Sequence, residues 1–91
     1  MILGIDFDDT FTVDPPFFRE IVKLAKAAGH TIVMVTLRSK EDREEIEDVT
    51  KCVMPIVFCS MLQGKLQKKR IAALRAGYDV DIWIDDSPEM I

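Results

Sequence analysis

The hydrophobic positions of this chain alternate between short continuous apolar runs and longer stretches with apolar residues at helical spacing. Four runs predict β-strands, at residues 2–5, 31–35, 56–59 and 82–84. Three amphipathic stretches predict helices, at residues 15–28, from 39 to the residue before Pro55, and at 65–76. Gly29 and Gly77 follow the first and third stretches, in the position that favours a left-handed residue. Strands that alternate with helices indicate an α/β domain with a parallel sheet and right-handed crossovers.

Polar residues follow all four predicted strands. In chain order they are Asp6 and Asp8, then Thr36, then the segment 60–65, then Asp85 and Asp86. Ligands of parallel α/β sheets bind beyond the carboxyl ends of the strands. The four strand ends are therefore expected to form one site.

The first strand runs into three carboxylates within four residues, followed by a hydroxyl. Asp6 and Asp8 are predicted to point the same way, because side chains alternate along a strand. Neighbouring carboxylates repel each other unless a cation or a shared proton compensates, and Mg²⁺ prefers hard oxygen ligands of this kind. A turn or a helix cap is the simpler interpretation of Asp9 and Thr10. It explains Asp6 poorly, since Asp6 precedes the turn.

Composition limits the classes of protein to consider. A chain of 91 residues with 48% apolar residues is long enough for one domain with one core. Its apolar runs are too short to cross a bilayer and the first strand starts at residue 2, so a cytoplasmic protein without a membrane partner is expected. A net charge of −4 does not indicate a nucleic-acid partner. Cys52, Cys59 and the single His30 do not suggest a zinc site.

Four short motifs, in their order and strand context, resemble those of the haloacid dehalogenase superfamily of phosphohydrolases. The family's first motif, DxDx(T/V), matches residues 6–10. Its second is a Thr or Ser that ends the second strand, matched by Thr36, and its third is a Lys near the start of a later helix, matched by Lys65 or a neighbour. Its fourth is a pair of acids after an apolar strand, matched by Asp85 and Asp86. The matches cover the whole chain, and the first and fourth motifs together are the specific ones.

The resemblance implies a Mg²⁺-dependent phosphatase with a role for each matched acid. Asp6 would be the nucleophile that forms an aspartyl-phosphate, and also a metal ligand. Asp8 would be the general acid and base, with its backbone carbonyl on the metal. Asp85 would complete the Mg²⁺ coordination, while Asp86 would bind through water or orient the other ligands.

Two further residues are expected to contact the phosphoryl group, Thr36 by a hydrogen bond and Lys65 through its charge. Lys65 is preferred because it lies at the predicted N-terminus of the third helix, on the side of the sheet where the acids gather. Lys68 is the alternative, about one turn further along at about 1.5 Å per residue. Lys69 and Arg70 are expected to be solvated, or to attract anionic substrate at long range.

The expected fold is a three-layer Rossmann-like domain over residues 1–91, with about four parallel strands in the order 3-2-1-4 and helices on both faces. Members of the family often carry a cap domain, but the corresponding intervals here are only residues 11–14 and 61–64, so no cap is expected. An open site suits a bulky phosphorylated substrate, such as a phosphoprotein, a nucleic-acid end or a nucleotide. The fourth strand is expected at an exposed edge, which favours pairing with a second copy or another partner.

Two other functions are compatible with parts of this pattern. Phosphoacceptor modules of the response-regulator receiver kind also gather acids, a hydroxyl and a Lys at one sheet edge. They place the phosphorylated Asp after the third strand, where this chain has Phe58, Cys59 and Ser60. A metal-binding or assembly module without useful catalysis is the other alternative; the short chain favours it and the intact set of acids argues against it.

Overall fold

The computed structural model of the protein describes residues 1–52, 54–62 and 64–91. The strands are β1 (Ile2–Ile5), β2 (Thr31–Thr36), β3 (Ile56–Phe58), β4 (Met61–Leu62), β5 (Lys65–Leu66) and β6 (Ile82–Ile84). Four of them form a parallel sheet in the order β3-β2-β1-β6. Since β6 is the fourth of the predicted strands, this arrangement confirms the predicted α/β fold and its strand order.

Helices cover both faces of the sheet. They are α1 (Pro15–Ala27), α2 (Arg43–Thr50) and α3 (Lys69–Arg75). The start of α1 follows from its sequence, because the Asp14 carboxylate accepts a hydrogen bond from the Phe17 amide at 3.3 Å and Pro15 needs no amide hydrogen at the first helical position. Gly29 follows the end of α1 with a φ of 83°, as its predicted position requires.

The core has two halves, one on each face of the sheet. The half under α1 and α2 consists of the buried residues Ile5, Phe7, Phe11, Val22, Ile32, Met34 and Ile46. The half under α3 consists of Val33, Val35, Val57, Cys59, Ala72 and Ala73. Side chains of β2 alternate between the two halves, which explains why this strand is apolar along nearly its whole length.

The second helix is shorter than predicted. A 3-10 turn at Lys40–Asp42 precedes α2, which ends at Thr50, and Lys51 then takes a left-handed backbone conformation with a φ of 49°. Of the apolar residues in this stretch, Ile46 and Val49 pack in the core, and Val53 lies outside the described residues. The apolar periodicity therefore located the helix but not its end.

The third helix was wrongly predicted to begin at Lys65. That lysine lies in β5, which pairs with β4 as an antiparallel hairpin, and α3 begins only at Lys69. Gly64 lies directly before β5 and has a φ of 76°, a conformation that glycine adopts without strain. The pairing of β4 with β5 thus precedes the helix, which begins four residues later than predicted.

The strand β6 forms one edge of the sheet, as predicted, and pairs only with β1 among the described strands. Ile82 in this strand is 45% exposed. Pairing of this edge with another chain remains a prediction. Across the described residues, the structure contains no helix of the length and apolar character needed to cross a membrane.

Candidate metal centre

The sheet itself brings the first and last acidic motifs together. Ile5 of β1 is in register with Ile84 of β6, and the Asp6 amide continues this ladder by donating to the Ile84 carbonyl at 3.0 Å. The residues that follow these two strand ends, Asp6 and Asp85, therefore leave the sheet side by side. Residues nearly 80 positions apart in sequence meet because their strands are neighbours.

Three carboxylates gather at this edge. Asp6, Asp85 and Asp86, hereafter the acidic cluster, each offer one oxygen such that all three oxygens lie within 4.8 Å of one another. Asp6 is only 6% exposed. Carboxylate oxygens are hard ligands, and three of them this close together suit a small divalent cation such as Mg²⁺.

The hydroxyl of Thr10 joins the two ends of the acidic cluster. Its Oγ1 lies 3.2 Å from Oδ2 of Asp6 and 3.2 Å from Oδ1 of Asp86, and it also accepts a hydrogen bond from the Asp86 amide. Thr10 is 7% exposed. A turn or cap was the interpretation favoured for this residue from sequence, but its hydroxyl fixes two of the acids relative to each other.

A buried lysine compensates part of the charge. The Nζ of Lys69 donates to Oδ1 of Asp6 at 2.7 Å and to Oδ2 of Asp85 at 2.6 Å, and its side chain is 2% exposed. The expectation that Lys69 would be solvated is therefore wrong. Lys65 is exposed in β5 and the structure does not bring it to the acids; Lys68 bonds instead to the backbone carbonyl of Glu89.

The position at which α3 begins explains why Lys69, and not Lys65, contacts the acids. Lys69 is the first residue of α3, so it occupies the place at the edge of the sheet that the sequence had suggested for Lys65. Burial acts to lower the pKa of Lys69, but the hydrogen bonds to Asp6 and Asp85 outweigh it and raise the pKa above its ordinary value. The lysine is thus a fixed cation at neutral pH.

The charge balance of the cluster favours a divalent cation. Three carboxylates against one ammonium leave two negative charges in a partly buried site. Burial raises the pKa of Asp6 to about 6, partly offset by its hydrogen bond with Lys69, and a hydrogen bond with Asp86 adds to the increase. That same hydrogen bond lowers the pKa of Asp86. A cation held by these carboxylates would favour their charged forms and offset their mutual repulsion, so the residues fit Mg²⁺.

Asp8 has a different environment from the acidic cluster. Both of its carboxylate oxygens accept hydrogen bonds from Arg38, from Nε at 3.0 Å and from Nη2 at 2.9 Å. Its side chain is 49% exposed. The general acid and base predicted from sequence therefore lies next to the acidic cluster, in an ion pair that the sequence did not reveal.

A cavity of about 190 Å³ opens over these groups. Its lining combines four acids with Lys69, Ser87 and two apolar side chains, namely Asp6, Asp8, Asp9, Leu37, Lys69, Asp86, Ser87 and Met90. Asp85 does not line this cavity; its carboxylate accepts hydrogen bonds from Lys69 and from the Ser87 amide, the latter at 2.9 Å. A cavity of this size has room for a phosphoryl group, with the rest of a substrate outside it.

Thr36 lies at the predicted place, the end of β2, but it is fully buried. Its Oγ1 accepts a hydrogen bond from the Arg38 amide at 3.1 Å, and this bond does not use the hydroxyl proton. Leu37, its neighbour, lines the cavity. Contact of Thr36 with a phosphoryl group remains a prediction.

Sequence reasoning did not predict the contacts of Thr10 with Asp6 and Asp86, the ion pair of Arg38 or the burial of Lys69. For Lys69 a signal was present, since apolar residues around Gly64 are typical of a hairpin and would have shifted the helix start. For Arg38 the only signal was its place two residues after Thr36.

Comparison with protein-family models, with curated proteins and with solved structures found no match to this chain. The chemistry of the site must be inferred from its own groups. These are three carboxylates that could hold a cation, a buried lysine bonded to two of them, and the carboxylate of Asp8 in the lining of the same cavity as Asp6. Such groups are suited to transferring a phosphoryl group.

Proposed function

We propose that this protein is a Mg²⁺-dependent phosphatase of the haloacid dehalogenase type, which hydrolyses phosphomonoesters through an aspartyl-phosphate at Asp6. The observation that supports it most strongly is the convergence of the acidic cluster on Lys69 at the carboxyl edge of a parallel sheet. A core has no need of three adjacent carboxylates, whereas a phosphoryl-transfer site needs both a cation site and a nucleophile.

Asp6, Asp85 and Asp86 would hold the Mg²⁺ ion. When bound, Mg²⁺ neutralises phosphate charge so that an anionic carboxylate can approach the phosphorus. Lys69 adds a fixed positive charge beside Asp6, as its 2.7 Å contact with the Asp6 carboxylate indicates.

In the first half of the reaction, a carboxylate oxygen of Asp6 attacks the phosphorus. The bond between phosphorus and the ester oxygen breaks, and the leaving oxygen takes a proton from Asp8 to depart as an alcohol. Asp8 is suited to this role because it lines the same cavity as Asp6 and is half exposed, within reach of the leaving group.

In the second half, a water molecule attacks the phosphorus of the aspartyl-phosphate. Asp8, now a carboxylate, accepts the proton of that water, and the bond between phosphorus and Asp6 breaks. The products are inorganic phosphate and the original carboxylate of Asp6. Asp8 thus alternates between acid and base, which a single exposed carboxyl can do.

Hydrolysis of p-nitrophenyl phosphate tests this function. The purified protein should release p-nitrophenol with Mg²⁺, and excess EDTA should stop the reaction. Asp6→Asn should be inactive because it keeps the shape of the side chain but loses the nucleophilic charge. Asp48→Asn is the matched control, since Asp48 is an exposed acid of α2 and this variant should retain wild-type turnover.

Three results would overturn the proposal. Turnover by Asp6→Asn would mean that another group attacks phosphorus. One phosphoryl group retained per chain, without release, would indicate a phosphoacceptor module. Mg²⁺ binding without turnover of any phosphomonoester would indicate a metal-binding or assembly module.

A further inference from the structure

Arg38 holds the side chain of Asp8 in a two-pronged ion pair. Its Nε and Nη2 bond separately to the two carboxylate oxygens, at 3.0 and 2.9 Å. These two donors of arginine match the planar geometry of a carboxylate. Lysine has no such planar pair of donors. Asp8 therefore occupies a fork of donors that is suited to a carboxylate.

The position of the guanidinium is fixed independently of Asp8. Its Nη1 donates to Oε2 of Glu45 at 2.6 Å, and its central carbon lies 5.4 Å from the centre of the Phe7 ring. Asp42 lies further away, at 3.9 Å from the same nitrogen. With Glu45 and Phe7 holding it, the arginine keeps its place when one of its carboxylate partners changes.

Arg38 is also next to the cavity and within reach of solvent. It follows Leu37, which lines the cavity, and its bonded partner Asp8 lines it as well. The side chain of Arg38 is 28% exposed. Another carboxylate that reaches this side chain from solvent can replace Asp8 in the fork while the guanidinium stays paired.

We propose that Arg38 recognises a carboxylate on the substrate, close to the phosphoryl group that is removed, and exchanges Asp8 for it. The substrates would then be phosphomonoesters of hydroxy acids. This inference rests on the proposed phosphatase function, because it assigns the substrate class of that same cavity. It adds a specificity-determining residue to the site.

The exchange also resolves a conflict in the site. Asp8 has to pass a proton to the leaving oxygen, yet both of its oxygens accept hydrogen bonds from Arg38. A substrate carboxylate that takes over the fork releases Asp8 and leaves the arginine paired. The right substrate thereby frees the acid that it needs.

Glycerol 2-phosphate and 2-phosphoglycerate form the matched pair of probes. They differ only in a hydroxymethyl group of the first, which is a carboxylate in the second. For the wild-type protein, kcat/KM should be higher for 2-phosphoglycerate by about tenfold or more, because its carboxylate frees Asp8 to act as the general acid, whereas glycerol 2-phosphate leaves Asp8 bonded to Arg38. Arg38→Gln should bring the ratio of the two kcat/KM values close to one, because neither ester can then take over an ion pair at residue 38.

Arg43→Gln is the control for loss of an arginine near this region, since Arg43 pairs with Glu47 on the surface of α2. It should keep the wild-type ratio. A wild-type protein without preference would overturn the inference. So would an Arg38→Gln protein that loses activity on both esters while the ratio stays unchanged, because Arg38 would then only position Asp8. Either outcome would overturn only the inference about Arg38. Hydrolysis of the esters by the wild-type protein would still support the proposed phosphatase function.

A binding measurement separates the two proposals if neither ester is hydrolysed. The ¹⁵N-labelled Asp6→Asn protein should show a shift of the Arg38 Nε–H signal on addition of 2-phosphoglycerate and none with glycerol 2-phosphate. Such a shift, with a wild-type protein that hydrolyses neither these esters nor p-nitrophenyl phosphate, supports the recognition of the carboxylate and contradicts the phosphatase function. Equal shifts with both esters, or none with either, overturn the inference.

Discussion

Lys69 is the residue whose role changes most between the sequence and the structure. Its ammonium is buried between Asp6 and Asp85, at 2.7 and 2.6 Å, whereas Lys65 is exposed in the hairpin. The structure therefore makes Lys69, not Lys65, the candidate for the phosphate-neutralising role expected of a lysine in this region. Arg70, its neighbour, is exposed as expected.

Replacing Lys69 with Met removes the charge and keeps most of the stem. Turnover of p-nitrophenyl phosphate should fall by roughly 10²–10³-fold, the usual loss for one charged group that stabilises a transition state. Lys65→Met is the matched control and should change turnover little. Steady-state kinetics of both variants measure the difference. If Lys65→Met is the damaging change, the lysine assigned from the structure is the wrong one.

The raised pKa of Asp6 gives the metal-free protein an unusual dependence on pH. Burial first of all raises this pKa from 3.8 to about 6, so the folded protein binds the proton more tightly than the unfolded chain does. The resulting stabilisation is complete below about pH 4 and disappears as the pH rises through about 6. A shift of this size corresponds to about 3 kcal/mol. The lowered pKa of Asp86 affects the free energy of unfolding only at pH values below this range.

Chemical denaturation in EDTA between pH 4 and pH 7 measures the effect. The free energy of unfolding of the wild-type protein should decrease across this range relative to that of Asp6→Asn, which cannot titrate at this position. The variant should therefore be the more stable protein at pH 7 without metal. Parallel curves for the two proteins would show that Asp6 titrates normally in the folded state.

Gly4 controls how closely β6 packs beside β1. A Cβ atom at this position would lie 2.9 Å from Cε3 of Trp83 and 3.0 Å from Cγ1 of Val80, which is too close for either contact. Gly4 and Trp83 are register partners, and Asp85 follows directly after β6. The absence of a side chain at Gly4 therefore helps to set the distance between Asp6 and Asp85.

Gly4→Ala should destabilise the protein by about 1–3 kcal/mol, the usual cost of overpacking, and should weaken Mg²⁺ binding because β6 shifts. The double variant Gly4→Ala/Trp83→Leu should recover part of the Mg²⁺ affinity, since the smaller side chain makes room. Thermal unfolding and Mg²⁺ titration test both statements. An Ala at this position that changes stability by less than about 0.5 kcal/mol, the range of neutral surface changes, would show that the strands adapt freely.

The elements were predictable from sequence where a strong local pattern marked them. The apolar runs located the four sheet strands, and Asp14 with Pro15 located the start of α1. The start of α3 was not predicted, because the basic stretch from Lys65 onward has helical propensity and only the pairing of β4 with β5 keeps its first part extended. Tertiary pairing overrides local propensity in such short segments.

The site was predictable to the level of the sheet edge and no further. Parallel strands place their carboxyl ends together, so the meeting of Asp6 with Asp85 follows from the strand order alone. The hydrogen bonds of Thr10 and the ion pair between Arg38 and Asp8 depend on loop conformations. Asp9, for example, has a φ of 60°, which its sequence context did not indicate.

Metal binding should be coupled to the stability of the whole domain, because the acidic cluster joins residues from opposite ends of the sequence. Mg²⁺ binds the folded state, so saturation at 100 times the dissociation constant should add about 2.7 kcal/mol to the free energy of unfolding. Thermal unfolding with and without Mg²⁺ measures this increase. Asp85→Asn should lose most of it, while Asp48→Asn should keep it. Equal Mg²⁺ responses in these two variants would place the ion elsewhere.

The most direct test of the proposed chemistry is to trap the covalent intermediate on Asp6. Borohydride reduces an acyl phosphate, so an aspartyl-phosphate quenched early in turnover of p-nitrophenyl phosphate becomes homoserine, which peptide mass spectrometry locates in the chain. The proposed mechanism predicts homoserine at position 6, only when both Mg²⁺ and the ester are present. Reduction at another acid, or release of phosphate with no reduced residue even at the earliest times, would contradict it.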